Sequence, residues 1–405
     1  YVLPKVTNVS TSSTSSSITI SVSASSGTGS VVKYYYSKDN GSNYVESTSS
    51  SYTFSNLTSD ATFYVKVYVK DSNNRESSVS STSIRTKMSL CSSGTNLASC
   101  IKNYSNKGSS VSHIYHHDAS LTNGAGDNSY RFAGASDAVN NYVCFGTNTS
   151  PCPTDNLYRI IGIFGDKAKL IKYDYATTAL LGNDGDYSRM YTDDYYDDSG
   201  YKGNNLANVA AYTWNYKNNT SINSGNGSNT WSTSLLNRTN LNTNFITNIG
   251  DEWAKKIAKI TWKVGGNTYD NIVQQPAKTA YQNEVVQPVP GSTSSNGETE
   301  YSAKIGLMYA SDYGFAAAPS AWTANLNTYH GKDIKNVNWM YMGLEEWTIS
   351  RNAGNSNSAF CIYNSGYFYS GGASNSNGVR PVFSLSSSVA YVSGDGTKNL
   401  PIRIN

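Results

Sequence analysis

Residues 351–383 read "RNAGNSNSAFCIYNSGYFYSGGASNSNGVRPVF". Between Arg351 and Gly378 lie 26 residues drawn only from Asn, Ser, Gly, Ala, Tyr, Phe, Cys and Ile, with no charge and no proline. The flanks, "NWMYMGLEEWTIS" and "GVRPVFSL", look like core. The chain is 15% charged, against about 25% in typical soluble proteins, so an uncharged run of this length arises by chance about one or two times in a hundred. "NYKNNTSINSGNGSNT" is equally polar, so it is the apolar flanks that set 352–377 apart. Strand alternation puts Phe360, Ile362 and Phe368 inward and Cys361, Tyr363, Tyr367 and Tyr369 outward, with Ser365-Gly366 as the turn. Tyr, Ser, Gly and Asn are the residues of antibody binding loops: Tyr gives amphipathic contact area at low entropy cost, and the small polar residues adapt their hydrogen bonds. The ligand-contact set expected here is Asn352, Asn355, Asn357, Ala359, Cys361, Tyr363, Asn364, Tyr367, Tyr369, Ser374, Asn375 and Asn377.

Outward from this stretch, 405 residues suffice for two or three domains. The net charge of +3 gives no basic footprint for nucleic acid. With 38% hydrophobic and 12% aromatic residues, cores can form. No apolar run reaches the length of a membrane-spanning helix. The opening "YVLPKV" lacks a Met and shows no signal peptide. The expectation is a fragment or mature form, with membrane or pilus attachment only through segments outside it. Cys91, Cys100, Cys144 and Cys152 form two close-spaced pairs. Local bridges Cys91–Cys100 and Cys144–Cys152 are the expected connectivity, in an oxidising compartment, with Cys361 unpaired. A four-cysteine zinc site is the alternative, at spacings wider than such sites use.

Residues 1–87 alternate with period two. Ile18, Ile20 and Val22 share one face of "SITISVSAS"; Phe63, Val65, Val67 and Val69 share one face of "FYVKVYVKD". "TKMSLC" marks a boundary, and all seven tryptophans lie beyond it. "NLYRIIGIFGDKAKLIKYD" predicts two strands joined at Gly165-Asp166. In "SLLNRTNLNTNFITNIGDEWAKKIAKITW", apolar residues at three- to five-residue spacing predict helix in parts. "KIGLMYASDYGFAAA" and "GVRPVFSL" read as buried strands or strand edges. Short elements with long polar loops imply α+β.

Motifs of catalysis are scarce. "SHIYHHDAS" holds His113, His116, His117 and Asp118, but His116 and His117 would point to opposite faces of a strand, so an exposed polar loop is the expected reading and His113 and His116 are weak metal candidates. "NDGDYSRMYTDDYYDD" gathers Asp184, Asp186, Asp193, Asp194, Asp197 and Asp198. It lacks the ordered ligand spacing of an EF-hand and reads as a solvated acidic insertion. Asp184 and Asp186 leave Ca²⁺ as the one cofactor to consider; otherwise none is expected. The adjacent Glu345 and Glu346 cannot face each other across a substrate and are expected to help close the Trp339–Trp347 segment.

Two resemblances follow. "PKV", "VVKYYYSKDNG", "YTFSNLTSDATF" and "VKDSNNRES" resemble a fibronectin type III domain, with Phe63 where that family often has a corner tyrosine. The implied role is a spacer. From about Cys91 to Ile404, "AGDNSYRFAG", "CPTDNLYRIIGIF", "NTWSTSLLN", "AKIGLMYASDYGFAAAP", "NWMYMGLEEWTISR" and "GVRPVFSLSSSVAYVSGDGTKNLPIRI" resemble the C-type-lectin-like variable proteins, targets of diversity-generating retroelements. Their fold is shared with formylglycine-generating enzyme. The resemblance implies that 352–377 is a variable region rewritten at adenines, chiefly in AAC-type codons, which cannot yield Lys, Glu, Gln, Met or Trp; none of these occurs there. The resulting expectation is two domains: an all-β fibronectin III/Ig-like sandwich over 1–87, then an α+β C-type-lectin-like fold over 88–405. The expected function is an extracellular, non-enzymatic binding or adhesion protein on a bacterial surface, with association to a pilus as one option, or on a phage particle, recognising a protein or glycan and no nucleic acid. The alternatives are a formylglycine-generating-type enzyme, which would need a second C-terminal cysteine beside Cys361, and a calcium-dependent lectin, whose Glu-Pro-Asn and Trp-Asn-Asp signatures are absent.

Overall fold

The computed structural model describes residues 1–87, 89–192, 196–197, 200–201, 208–216, 227–290, 297–330 and 332–405. Asp193, Asp194 and Asp198 lie outside the described residues, and nothing is described of the side chain of Asp197. Backbone contacts divide the chain into two compact units, Tyr1–Ser92 with Ser393–Asp395, and Ser93–Val392 with Gly396–Asn405.

The first unit holds seven strands: β1 (Lys5–Ser13), β2 (Ile18–Ser25), β3 (Val31–Ser37), β4 (Val45–Ser47), β5 (Ser51–Phe54), β6 (Thr62–Asp71) and β7 (Ser80–Arg85). They form two antiparallel sheets, ordered β1-β2-β5 and β4-β3-β6-β7. Alternation builds the core directly. Ile18, Ile20 and Val22 from one sheet meet Tyr36, Val65, Val67 and Val69 from the other, all buried, while Lys66, Tyr68 and Lys70 lie on the opposite face of β6, partly exposed. This is a β-sandwich of the fibronectin III/Ig-like kind.

The second unit is mixed. Its main sheet contains β8 (Ile114–His117), β9 (Ser129–Phe132), β10 (Tyr142–Cys144), β11 (Leu157–Phe164) and β12 (Lys167–Lys172), and is extended by Val382–Ser384 and Ile305–Gly306. β11 and β12 pair antiparallel around the Gly165-Asp166 turn, with a register shift between Ile160 and Gly162. Ile160, Ile161 and Ile163 are all buried. Every residue from Leu157 to Ile163 is buried, so both faces of β11 are covered and consecutive isoleucines can be buried without sharing a face. Cys144 and Cys152 are bridged, Cys91 and Cys100 are also disulfide-bonded, and Cys361 is free and buried.

Two predicted elements differ. Leu236–Phe245 is a π-helix, and Ile260–Lys263, which the helical spacing had absorbed, is a strand. The five-residue step from Leu236 to Leu241 fits the wider turn. The Asn242 amide donates to the Ile305 carbonyl (3.0 Å) and accepts from its N–H (3.0 Å), tying this helix to the sheet edge. In "KIGLMYASDYGFAAA", expected as strand, Ala310–Ala316 is a helix. Its first turn is satisfied by buried carboxylates: Glu284 accepts from Ala310 N–H (3.1 Å) and Ser311 N–H (2.6 Å), and Asp312 accepts from Tyr309 N–H (3.0 Å).

Candidate recognition surface

The quoted stretch folds as a three-stranded antiparallel sheet of Glu346–Arg351, Ser358–Ile362 and Phe368–Gly372. Cys361 lies opposite Trp347 on one neighbour and Tyr369 on the other. Downstream, Ser376-Asn377 pairs with Tyr212-Thr213.

Indole N–H groups pin this sheet to backbone carbonyls. Trp347 donates to Tyr212 O (2.8 Å), and Trp214 donates to Thr348 O (2.8 Å). Trp339, stacked under the Arg159 guanidinium at 4.5 Å, donates to Phe132 O (2.8 Å). Glu346 and Arg380, both fully buried, form an ion pair at 2.7 Å, and Arg380 also donates to Met340 O (2.7 Å). The buried Arg351 guanidinium donates to Gly265 O (2.6 Å) and Glu298 O (2.8 Å). Gly266 beside it has φ +67°, and a Cβ there would fall 2.0 Å from Arg351 O, so only glycine fits. The Asn229 amide lies within hydrogen-bond reach of the carbonyls of Asn352 (2.9 Å), Asn355 (2.7 Å) and Ser358 (2.9 Å), which fixes the loop.

Five expected contact residues are not on the surface. Asn352, Ala359, Cys361, Asn364 and Asn377 are buried. Alternation gave the correct faces for Phe360, Ile362 and Phe368, which are buried, but the opposite face of the middle strand is covered as well. Gly371 lies so close to Cys361 that a Cβ would stand 3.1 Å from its sulfur and 3.4 Å from the Trp347 ring. Burial pushes the Cys361 thiol pKa well up. The Asn352 amide serves the loop itself, accepting from Gly354 N–H (3.0 Å) and donating to Ser370 Oγ (3.0 Å). The Asn364 carbonyl accepts from Tyr341 O–H (2.5 Å).

Asn355 and Asn375 are exposed; Asn357, Tyr363, Tyr367, Tyr369 and Ser374 are partly exposed. Three tyrosines form one cluster, with ring centroids 5.0 Å apart for Tyr363–Tyr367, 5.4 Å for Tyr363–Tyr369 and 6.3 Å for Tyr367–Tyr369. Tyr369 O–H donates to Glu345 Oε2 (3.0 Å), and burial raises its pKa well above the ordinary value. Glu345 and Glu346 thus have separate roles, one at the cluster's edge and the other in the core. His330, 6.3 Å from the Tyr367 ring, was not foreseen as part of this group. Nothing in the sequence links the two, because the contact is set by tertiary packing.

The weak metal candidates have other partners. His113 closes a short helix with φ +55°. His116 stacks on Tyr130 at 4.2 Å and faces Asp118 at 3.2 Å. Asp184 accepts from the Asn244 amide (2.7 Å). Asp186, expected in a solvated insertion, is fully buried instead. It accepts from Thr213 Oγ1 (2.8 Å), Tyr216 N–H (3.0 Å) and Leu236 N–H (2.9 Å), bonds that satisfy the buried carboxylate. Among the described residues, no three of His, Cys, Asp and Glu gather as a metal site.

No family model matches the chain, and no curated protein does. Solved structures similar to it include the PKD1 domain of the Vibrio cholerae metalloprotease PrtV, with 20% identity over 22% of this chain and 100% of that one and a TM-score of 0.18. The fn3 domain of the human collagen alpha-1(XX) chain is 20% identical over 20% of this chain and 84% of that one, TM-score 0.19. Chitinase ChiA74 from Bacillus thuringiensis is 20% identical over 21% of this chain, TM-score 0.19, and the match spans only 14% of its length. Each likeness covers about a fifth of this chain; the sandwich fold of residues 1–87 is read from its own sheets.

Proposed function

We propose that this is an extracellular binding protein, in which a fibronectin-type spacer presents a C-type-lectin-like domain that recognises another macromolecule through the outward residues of 352–377. The observation that carries the reading is the Tyr363–Tyr367–Tyr369 cluster, partly exposed beside Glu345 and His330 on a hairpin pinned from beneath. Aromatic anchors on a rigid support bind at low ordering cost. The disulfides favour an oxidising compartment. Recognition is assigned to Asn355, Asn357, Tyr363, Tyr367, Tyr369, Ser374 and Asn375, and no catalysis is assigned. A formylglycine-type cysteine must be accessible and ionisable, whereas Cys361 is buried with its thiol pKa raised.

The test screens the full chain against panels of glycans and extracellular proteins, then remeasures the first partner against a Tyr363→Ser/Tyr367→Ser variant. Binding should fall by tenfold or more, since hot-spot aromatics each contribute about 2 kcal/mol. The melting temperature should stay within about 3 °C, because partly exposed positions cost little. Equal binding by variant and parent would place recognition elsewhere.

A further inference from the structure

A cavity of about 210 Å³ lies in the second unit, and no residue of 352–377 lines it. Its walls are aromatic: Phe164, Trp262, Tyr281 and Tyr309. Ile260, Thr261 and Lys263 stand at partly or fully exposed positions along it. At its base the buried Lys169 and Arg131 share Asp312, with Arg131 Nη1 at 3.4 Å. Arg131 also holds Asp127 at 2.6 Å. The Lys169 ammonium sits 4.6 Å from the Tyr309 ring centroid, 5.3 Å from Phe164 and 5.6 Å from Trp262.

The unfilled polar capacity here is donor-type. Both Asp312 oxygens are engaged. Lys169 has three N–H donors and gives one to Asp312. Tyr309 O accepts the Lys263 amide (2.7 Å), leaving its own proton to donate. Ser311 Oγ is buried, lines the cavity and meets the geometry of no hydrogen bond among the described residues, although its hydroxyl helps to lower the pKa of the neighbouring Glu284 carboxyl. Buried donors without partners are costly, and a ligand acceptor would satisfy them. A cationic ligand is disfavoured, because it would lie beside the Lys169 ammonium and the Arg131 guanidinium that line the cavity.

We propose that this cavity binds a small, flat, largely apolar monocarboxylate, its body against Trp262 and Tyr309 and its carboxylate toward Lys169 and Ser311. The volume admits a body of about one ring. The aromatic walls supply desolvation, and the donors fix orientation. The proposal is independent of the recognition surface.

The test uses the full chain with three probes of one shape, benzoate, benzyl alcohol and benzyltrimethylammonium, measured by calorimetry and ligand-observed NMR. Benzoate should bind about tenfold or more tighter than benzyl alcohol, a ratio expected of a charge-assisted hydrogen bond. The ammonium should not bind. Thr261→Trp, at an exposed strand position, should block the mouth and remove benzoate binding without lowering the melting temperature. Ser311→Ala removes only a hydroxyl and should weaken benzoate about tenfold. Absence of benzoate binding by the folded chain, equal affinity for all three probes, or full benzoate affinity in both folded variants would each overturn the assignment.

Discussion

His117 shows how a single buried side chain sets pH behaviour. It is fully buried, its Nδ1 accepts from Ala125 N–H (3.0 Å), and its ring lies edge-on to Phe315 (4.8 Å) and close to Trp322 (5.0 Å). An accepting Nδ1 requires the neutral ring. Burial, reinforced by Arg131, lowers its pKa from the ordinary 6.5 to about 3. The unfolded chain therefore takes up a proton near pH 6.5, and the folded chain only near pH 3. The contribution of His117 is fully present above pH 6.5 and is lost as pH falls toward 3. Between pH 6.5 and 5 that amounts to about 2 kcal/mol. Glu284 runs the other way: burial raises it from 4.5 to about 7, so its contribution is full below pH 4.5 and is lost as pH rises through 7. A His117→Asn variant keeps an acceptor for Ala125 but cannot protonate. It should be less stable than the parent at pH 7, through lost ring contacts, yet lose about 2 kcal/mol less between pH 6.5 and 5. Denaturant titrations at the two pH values check this, and Glu284 cancels in the difference. Parallel losses in parent and variant would remove His117 as the acid-labile group.

At the scale of elements, the hairpin separates positions that alternation alone cannot. The sequence pattern identified Phe360, Ile362 and Phe368 as one face, and they are buried. It could not tell that the opposite face is covered at Cys361, because that cover comes from Trp347, held by Tyr212 from a segment 135 residues away. A two-residue period says which side chains share a face, not how many faces are buried. The same blindness hid the Lys169–Asp312 pair, whose partners are 143 residues apart, and Asp186, whose acidic neighbourhood suggested solvent. Asn375 is the contrasting case, exposed at a loop. Asn375→Tyr should therefore shift stability by no more than about 0.5 kcal/mol. Cys361→Tyr must displace Trp347 or Gly371 and should cost at least about 1–3 kcal/mol, the penalty for overpacking. Thermal melts of the two variants make the comparison. Tolerance of tyrosine at both positions would mean that the middle strand is as changeable as the loop.

For the whole molecule, the two units differ in how their stability is built. In the sandwich core, Ile18, Ile20, Val65, Val67 and Val69 lie on the two strands that sequence periodicity located, whereas Tyr36 lies on β3, whose burial does not alternate and whose period gave no signal. Residues 1–87 contain no cysteine, so nothing within that span depends on redox state. The second unit relies on long-range polar pins and holds the Cys144–Cys152 bridge, whose short loop contributes about 2–3 kcal/mol in the loop-entropy model. A fragment of residues 1–87 should fold alone, with a cooperative melt that reductant leaves unmoved, since its sheets and its hydrophobic core lie within that span. In the full chain, reductant should lower a transition by several degrees while leaving one matching the fragment in place. Calorimetry of fragment and full chain, with and without dithiothreitol, makes the measurement. A fragment that melts without cooperativity would show that the sandwich needs residues beyond 87, such as Ser393–Asp395, which pack with the first unit.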